Sequence, residues 1–206
     1  MTDKQPPKKL RDQVLLDAPM PIVTPRLTIR PLQEGDGAAL FEGKQESWNQ
    51  LSKVFQWAAG QPDAELDEIY ARKSQADYIL RRDFSLVGID NATGKPVLWA
   101  GIHAHNWNLR EFQIGYWVRA SEQGKGYARE AANALVRYTF NQLGANRLVM
   151  CHIDGNEASR KIITSMGFEF EGVRRNSLLF AGNIVRDALW YSRVDAENLP
   201  ELKVSW

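Results

Sequence analysis

Two strand-like stretches, Phe84 to Ile89 and Pro96 to His105, are separated only by the text Asp90-Asn91-Ala92-Thr93-Gly94-Lys95. A connection that short cannot carry a helix back across a sheet, so the two strands must run antiparallel as a hairpin. A second pair, Phe168 to Leu179 and Ile184 to Ser192, obeys the same limit about Gly182-Asn183. Two such hairpins fit a purely parallel, doubly wound fold less well than a mixed one.

The remaining patterns fill in the order. Leu27 and Ile29 alternate with Thr28 and Arg30, a first strand closed by Pro31. Leu40, Phe41 and Lys44 predict one helix, and Trp48, Leu51, Phe55 and Trp57 a second short aromatic-rich segment. Leu66, Ile69, Lys73, Ala76 and Ile79 repeat as the inner stripe of an amphipathic helix beginning near Pro62-Asp63. Leu109 to Val118 reads as a strand. A long helix follows through Ala128, Ala131, Ala132, Leu135, Val136, Thr139, Phe140 and Leu143, and Gly144 stops it. Arg147 to Ile153 is a strand, and Asn156 caps a helix running to about Met166. The expected fold is a mixed α/β (α+β) domain, a mostly antiparallel sheet flanked by helices.

At 206 residues the chain fits one domain, placed at 26–194, with an N-terminal arm at 1–25 and a tail at 195–206. The prolines of Met1 to Pro25 argue for an arm laid over the domain rather than a sheet member, docked through Val14, Leu15 and Leu16. A net charge of +1 supplies no bulk field for nucleic acid or an anionic membrane. The single cysteine and the lack of an apolar span predict a cytoplasmic protein without disulfides; a homodimer is compatible with this composition.

The text Trp117-Val118-Arg119-Ala120-Ser121-Glu122-Gln123-Gly124-Lys125-Gly126-Tyr127-Ala128-Arg129 ends a strand, turns on two glycines and opens a helix at once. Glycines let the backbone approach a ligand, and the unpaired amides of a first helical turn point at it, so the site suits an anion. Lys125 and Arg129 add positive charge there. A tight structural loop is the alternative. Neither the complete G-x-G-x-x-G fingerprint nor a G-K-[ST] phosphate loop is present.

Gln123, Gly124, Gly126 and Ala128 resemble the acetyl-coenzyme A signature of the Gcn5-related N-acetyltransferase superfamily, Arg/Gln-x-x-Gly-x-Gly/Ala. Thr24-Pro25-Arg26-Leu27, Arg30, Ile114-Gly115-Tyr116-Trp117, Asn156-Glu157-Ala158-Ser159, Gly167-Phe168 and Glu171-Gly172 extend the likeness toward the ribosomal-protein-alanine N-acetyltransferase branch. The resemblance implies acetyl-coenzyme A as cofactor, its pantetheine between the splayed strands Leu109 to Val118 and Arg147 to Ile153. It implies cofactor contacts from Trp117, Val118, Arg119, Gln123, Gly124, Lys125, Gly126, Tyr127, Ala128, Arg129, Asn156 and Ser159. The Val118 amide then polarises the thioester oxygen, and Ser159 protonates the leaving sulfur or is simply a first-turn residue behind the Asn156 cap. The family often carries a glutamate where Gln113 stands; an amide cannot act as a base, so Glu111, two residues earlier on the same strand face, becomes the candidate.

Cys151 and His152 are adjacent on a strand and point to opposite faces, which excludes a dyad. His103 and His105 share a face, but with one further histidine and no cysteine cluster no metal site is expected. The resemblance places Trp48, Phe55, Trp57, Trp107 and Gln113 at an acceptor groove, with a core or exposed-edge role as the alternative for the aromatics; the acidic residues Asp36, Glu42, Glu46, Glu65, Asp67 and Glu68 suit a cationic acceptor or form ordinary solvated helix faces. The implied reaction is direct acetyl transfer to a primary amine, first a protein or peptide N-terminus. Alternatives are a small amine (antibiotic, aminoacyl compound or polyamine) or an acyl-coenzyme A sensor without turnover.

Overall fold

The computed structural model describes residues 11–180 and 183–206. Eight strands form one sheet: β1 (Ile22–Val23), β2 (Leu27–Pro31), β3 (Asp83–Asp90), β4 (Pro96–Asn106), β5 (Glu111–Val118), β6 (Arg147–Ile153), β7 (Glu169–Phe180) and β8 (Ile184–Arg193). The helices are α1 (Gly37–Val54), α2 (Ala64–Ile79), α3 (Tyr127–Asn141) and α4 (Glu157–Ser165). Sheet order is β1-β2-β3-β4-β5-β6-β8-β7. Every pairing is antiparallel except β5 with β6, whose connection carries α3 as the crossover a parallel pair requires. Both hairpins form, β3 with β4 and β7 with β8. Of the second turn, Gly182 lies outside the described residues.

The sheet separates two apolar layers. Leu98, Ile102, Phe112, Ile114 and Leu148 pack with Ala131, Leu135 and Tyr138 of α3. Val87, Trp99 and Trp117 pack with Leu40 of α1. Strand alternation explains the division from Leu98 onward in β4 and along β5, where even-numbered residues face α3 and odd-numbered ones α1; Val97, at the register shift opposite Gly88 and Ile89, joins the α3 side.

Three expectations change. Trp48 and Leu51 belong to α1 itself, one continuous helix, because Gly43, Ser47 and Leu51 extend the buried stripe begun at Leu40. Helix α2 forms, with Asp63 capping it through Leu66 N, but its inner face is Asp67, Ala71 and Ser74. Leu66 and Ile79, expected inside, are 63% and 59% exposed. Small residues let α2 lie close, and Lys44 pairs with Asp67, which makes the carboxylate tolerable inside. Finally, Ile22–Val23 is an edge strand paired with β2 and bridged to Ser205, so the proline-bearing segment does enter the sheet. Of the three residues expected to dock it, Leu16 packs on the core while Val14 and Leu15 are exposed.

Candidate active site

Strands β5 and β6 pair only through Glu111–Arg147, Phe112–Leu148 and Gln113–Val149. Beyond Gln113 they diverge, so Ile114–Val118 presents an unpaired edge toward β6. Arg119 N donates to Val97 O on β4 at 2.9 Å. Because backbone groups alternate along an antiparallel strand, the Val118 N–H points the other way, into the cleft.

The turn after β5 is braced from α1. Ser47 Oγ accepts from Ala120 N (3.0 Å), Glu46 Oε1 from Ser121 N (2.6 Å), and Gln123 Nε2 donates to Gln50 Oε1 (2.6 Å) and Val118 O (3.1 Å). From the other side, Thr24 Oγ1, Arg26 N and Arg26 Nε all donate to Glu130, and Arg26 Nη1 donates to Lys125 O. Gly124 and Gly126 have φ of +76° and +85°, conformations that glycine adopts without strain. Held this way, the backbone N–H groups from Gly124 to Arg129 have no acceptor among the described residues. That row of free amides at the start of α3 fits a diphosphate.

The side chains of this stretch divide their work. Arg129 is exposed and makes no ion pair among the described residues, leaving its charge for a ligand. Lys125 pairs with Glu122 at 2.8 Å. Tyr127 is buried, donates its hydroxyl to Asp90 and lies under the Arg26 guanidinium, so it offers only backbone. Arg119 turns to Glu42 and Glu46 on α1. Trp117 stacks on Trp99 at 4.3 Å with an interplanar angle of 13°. Across the cleft, Asn156 Oδ1 accepts from Ser159 N at 3.2 Å. Burial pushes the Tyr116 phenol up to about 12, and the nearby Ser159 side chain pulls it back slightly. The two do not form a hydrogen bond, and the buried Tyr116 hydroxyl has no partner among the described residues. Tyr116 escaped the sequence reading because tyrosine in a strand is usually packing.

On the α1 side of the same strand lies a groove of about 410 Å³, bounded by Phe55, Trp57, Tyr70, Trp99, His103 and Trp117. Lys44 pairs with Asp67 there and sits over the rings of Trp57 and Tyr70. Phe55 and Trp57, assigned to an acceptor groove above, both line this one. Trp48 stands behind Trp57, ring centroids 6.3 Å apart. Trp107 does not line it, because it packs edge-on against Phe112 in the α3-side core. The acidic character expected of this half is largely neutralised: Asp36 pairs with Arg30, Glu68 with Arg72, Asp67 with Lys44, and Glu42 and Glu46 with Arg119.

Glu111 lies at the closed end of the β5–β6 wedge, bound to Arg147 Nε at 3.1 Å. Gln113 donates to Cys151 Sγ at 3.6 Å, and burial pushes that thiol up, against use as a nucleophile. His103 and His105 do not form a joint site: His105 stands beside Trp190, whereas His103 Nδ1 is 2.7 Å from Asp83 Oδ1. Asp83 Oδ2 accepts from Ser85 Oγ (3.0 Å), which is 2.9 Å from the Tyr70 hydroxyl. Asp83 was not singled out by sequence, since only the register Asp83↔His103 brings it to the imidazole.

Residues 26–169 match the family described as acetyltransferase (GNAT) domain. YdaF of Bacillus subtilis, provisionally named a ribosomal N-acetyltransferase, is 30% identical over 179 residues, covering 85% of this chain and 94% of its own. The fold matches RimL, a ribosomal L7/L12 alpha-N-protein acetyltransferase solved with coenzyme A, with a TM-score of 0.78 at 18% identity, covering 85% of this chain and 98% of that one. It also matches Mycobacterium smegmatis RimJ in complex with CoA-disulfide, with a TM-score of 0.76 at 23% identity and 91% of both chains covered.

Proposed function

Because the chain belongs to the GNAT acetyltransferase family, whose members transfer acetyl groups to amines, we propose that its acceptor is the N-terminal α-amine of a protein or peptide. One observation carries this: a single strand segment serves both sites. Gly115, Tyr116 and Trp117 border the groove, and the outer edge of the same segment faces the β5–β6 cleft. An amine held in the groove thus lies across one strand from a thioester held in the cleft. The groove mouth is open at Trp57, Leu66 and Tyr70, all exposed, which suits a first residue entering while the rest of a chain runs out over α2. The names of YdaF and RimL support a ribosomal-protein acceptor.

Acetyl-coenzyme A, when bound, supplies an acetyl group activated as a thioester. The amides from Gly124 to Arg129, with the Arg129 side chain, would hold its diphosphate. The free edge Ile114–Val118 would pair with pantetheine amides as a strand does. The Val118 N–H would donate to the negative charge that grows on the carbonyl oxygen. Ser159, beside Tyr116, would give the proton to the departing sulfur, and the Asn156 cap holds the helix start that carries it.

A small-molecule amine is the second reading, favoured by a groove volume that can hold a whole drug-sized ligand. The test is thiol release from acetyl-coenzyme A over peptides of varied first residue and over small amines, with product masses. Selective acetylation of a peptide α-amine supports the proposal. Turnover of small amines alone reverses the ranking, and cofactor binding without turnover points to a sensor.

A further inference from the structure

Resting on that reading of the groove, we propose that His103 is the proton acceptor for the incoming amine, held in position by Asp83, Ser85 and Tyr70. The proposal begins with space. A methyl group built on Gly101 would stand 2.5 Å from His103 Nε2, and one on Gly115 would stand 3.9 Å away. Two strand glycines thus let the imidazole lie flat across β4 toward β5, with Nε2 in the groove beside the segment that borders the thioester cleft. Any side chain at Gly101 would occupy that place.

Direction comes next. Nδ1 faces the Asp83 carboxylate at 2.7 Å, and the carboxylate accepts, so Nδ1 carries the hydrogen and Nε2 keeps the lone pair. Ser85 donates to the second Asp83 oxygen, and Tyr70 from α2 adjoins Ser85. The carboxylate is therefore held from both β3 and α2. The imidazole is 45% and Asp83 30% exposed, so the acceptor nitrogen is reachable from the groove. Other titratable groups lining the groove are Lys44 of α1, paired with Asp67, Asp67 and Tyr70 of α2, and Tyr116 of β5, whose phenol burial holds neutral; Gln113 is the cross-strand neighbour. None of the charged ones is an unpaired rival, and Glu111 is held by Arg147 at the closed end of the wedge.

The proton count closes. The acceptor ammonium gives one proton to His103 Nε2, and the freed nitrogen lone pair forms the C–N bond to the acetyl carbon. The C–S bond breaks with its electron pair going to sulfur. The nitrogen loses its second surplus proton as the sulfur gains one, and His103 returns its proton to solvent through the open groove. His103 is the catalytic residue in this scheme, while Asp83, Ser85 and Tyr70 are positioning residues.

The test compares wild type with His103→Gln, Asp83→Asn and Tyr70→Phe. Thiol release is followed across pH with an amine that the wild type acetylates, and coenzyme A binding is measured by calorimetry. His103→Gln is expected to lower kcat by roughly 10²- to 10⁴-fold at neutral pH, the range of general-base catalysis, with coenzyme A affinity unchanged. Its remaining rate should rise with pH only as free amine accumulates, whereas the wild-type profile should carry a further limb from the base. Asp83→Asn should lower kcat and shift that limb, and Tyr70→Phe should shift it less. If wild type is active and His103→Gln keeps its rate and pH profile, the base assignment is overturned and the acetyltransferase reading stands. If Asp83→Asn moves neither rate nor profile, the positioning role falls. If wild type acetylates no amine in the panel, both readings fall.

Discussion

Gly101→Ala displaces the His103 imidazole without altering it. Gly101 lies inside β4 and is not among the residues with positive φ, so alanine meets no backbone strain there. Loss of glycine's freedom in the unfolded chain should favour folding by about 0.4–1 kcal/mol. The new methyl would stand 2.5 Å from both Cε1 and Nε2 of His103, where ordinary contact needs about 3.5–4.0 Å. The ring end is the mobile partner, so Nε2 must move by about 1 Å, a displacement that costs on the order of 10²-fold in rate. The variant should match or exceed wild type in Tm and bind coenzyme A normally, yet release thiol on the order of 10²-fold more slowly at saturating amine. Calorimetry and a thiol-release assay read these quantities separately. The double variant Gly101→Ala/His103→Gln should be no slower than His103→Gln, because both changes remove the same interaction. A Gly101→Ala enzyme within about threefold of wild type would refute the placement of the base.

Three further outcomes follow from the same geometry. Gly126→Val forces a β-branched residue to a φ of +85° at the start of α3, and a cost of about 1–2 kcal/mol should weaken coenzyme A binding roughly 5- to 30-fold if the loop must regain its shape to bind; an unchanged Kd and Tm would remove the amide row from the site. Lys44→Met leaves Asp67 buried and unpaired, which should destabilise the fold by about 3 kcal/mol in a denaturant titration, and adding Asp67→Leu should recover most of it; a neutral single variant contradicts the role given to this pair. The Arg147 guanidinium, helped by the Ser192 hydroxyl, holds the Glu171 carboxyl down to about 2 from its ordinary 4.5. Its folded value is depressed, so this contribution is complete above pH 4.5 and is lost as pH falls toward 2. With the side chain 38% exposed, solvent screening limits it to about 1 kcal/mol, and Arg147→Met should flatten the acid limb of stability against pH.

What could be read along the chain was local. The DNATGK turn imposes a hairpin, the paired glycines before α3 impose a turn with unbonded amides, and Asn156 caps α4 because its side chain reaches an amide three residues on. Each depends on neighbours a few residues apart, so spacing alone exposes it. The apolar repeat of α2 is the instructive failure. Leu66, Ile69 and Ile79 repeat correctly, yet the helix buries the opposite face, since Lys44 on α1 neutralises Asp67 and small residues permit close approach. Pattern counts hydrophobic residues; it does not see a partner charge on another helix.

The same reason governs the site. The two-glycine turn was legible in text, whereas the cleft beside it comes from β5 and β6 parting after Gln113, a property of register. His103 and Asp83 are distant along the chain and meet only because β3 and β4 pair in the register that sets them opposite one another. A carboxylate at position 111 looked like a base until the fold put Arg147 against it. Sequence carries the contacts that the backbone makes with its own near neighbours; which distant charges end up together is decided by strand register and helix packing, because those alone set the distances on which electrostatics and proton transfer depend.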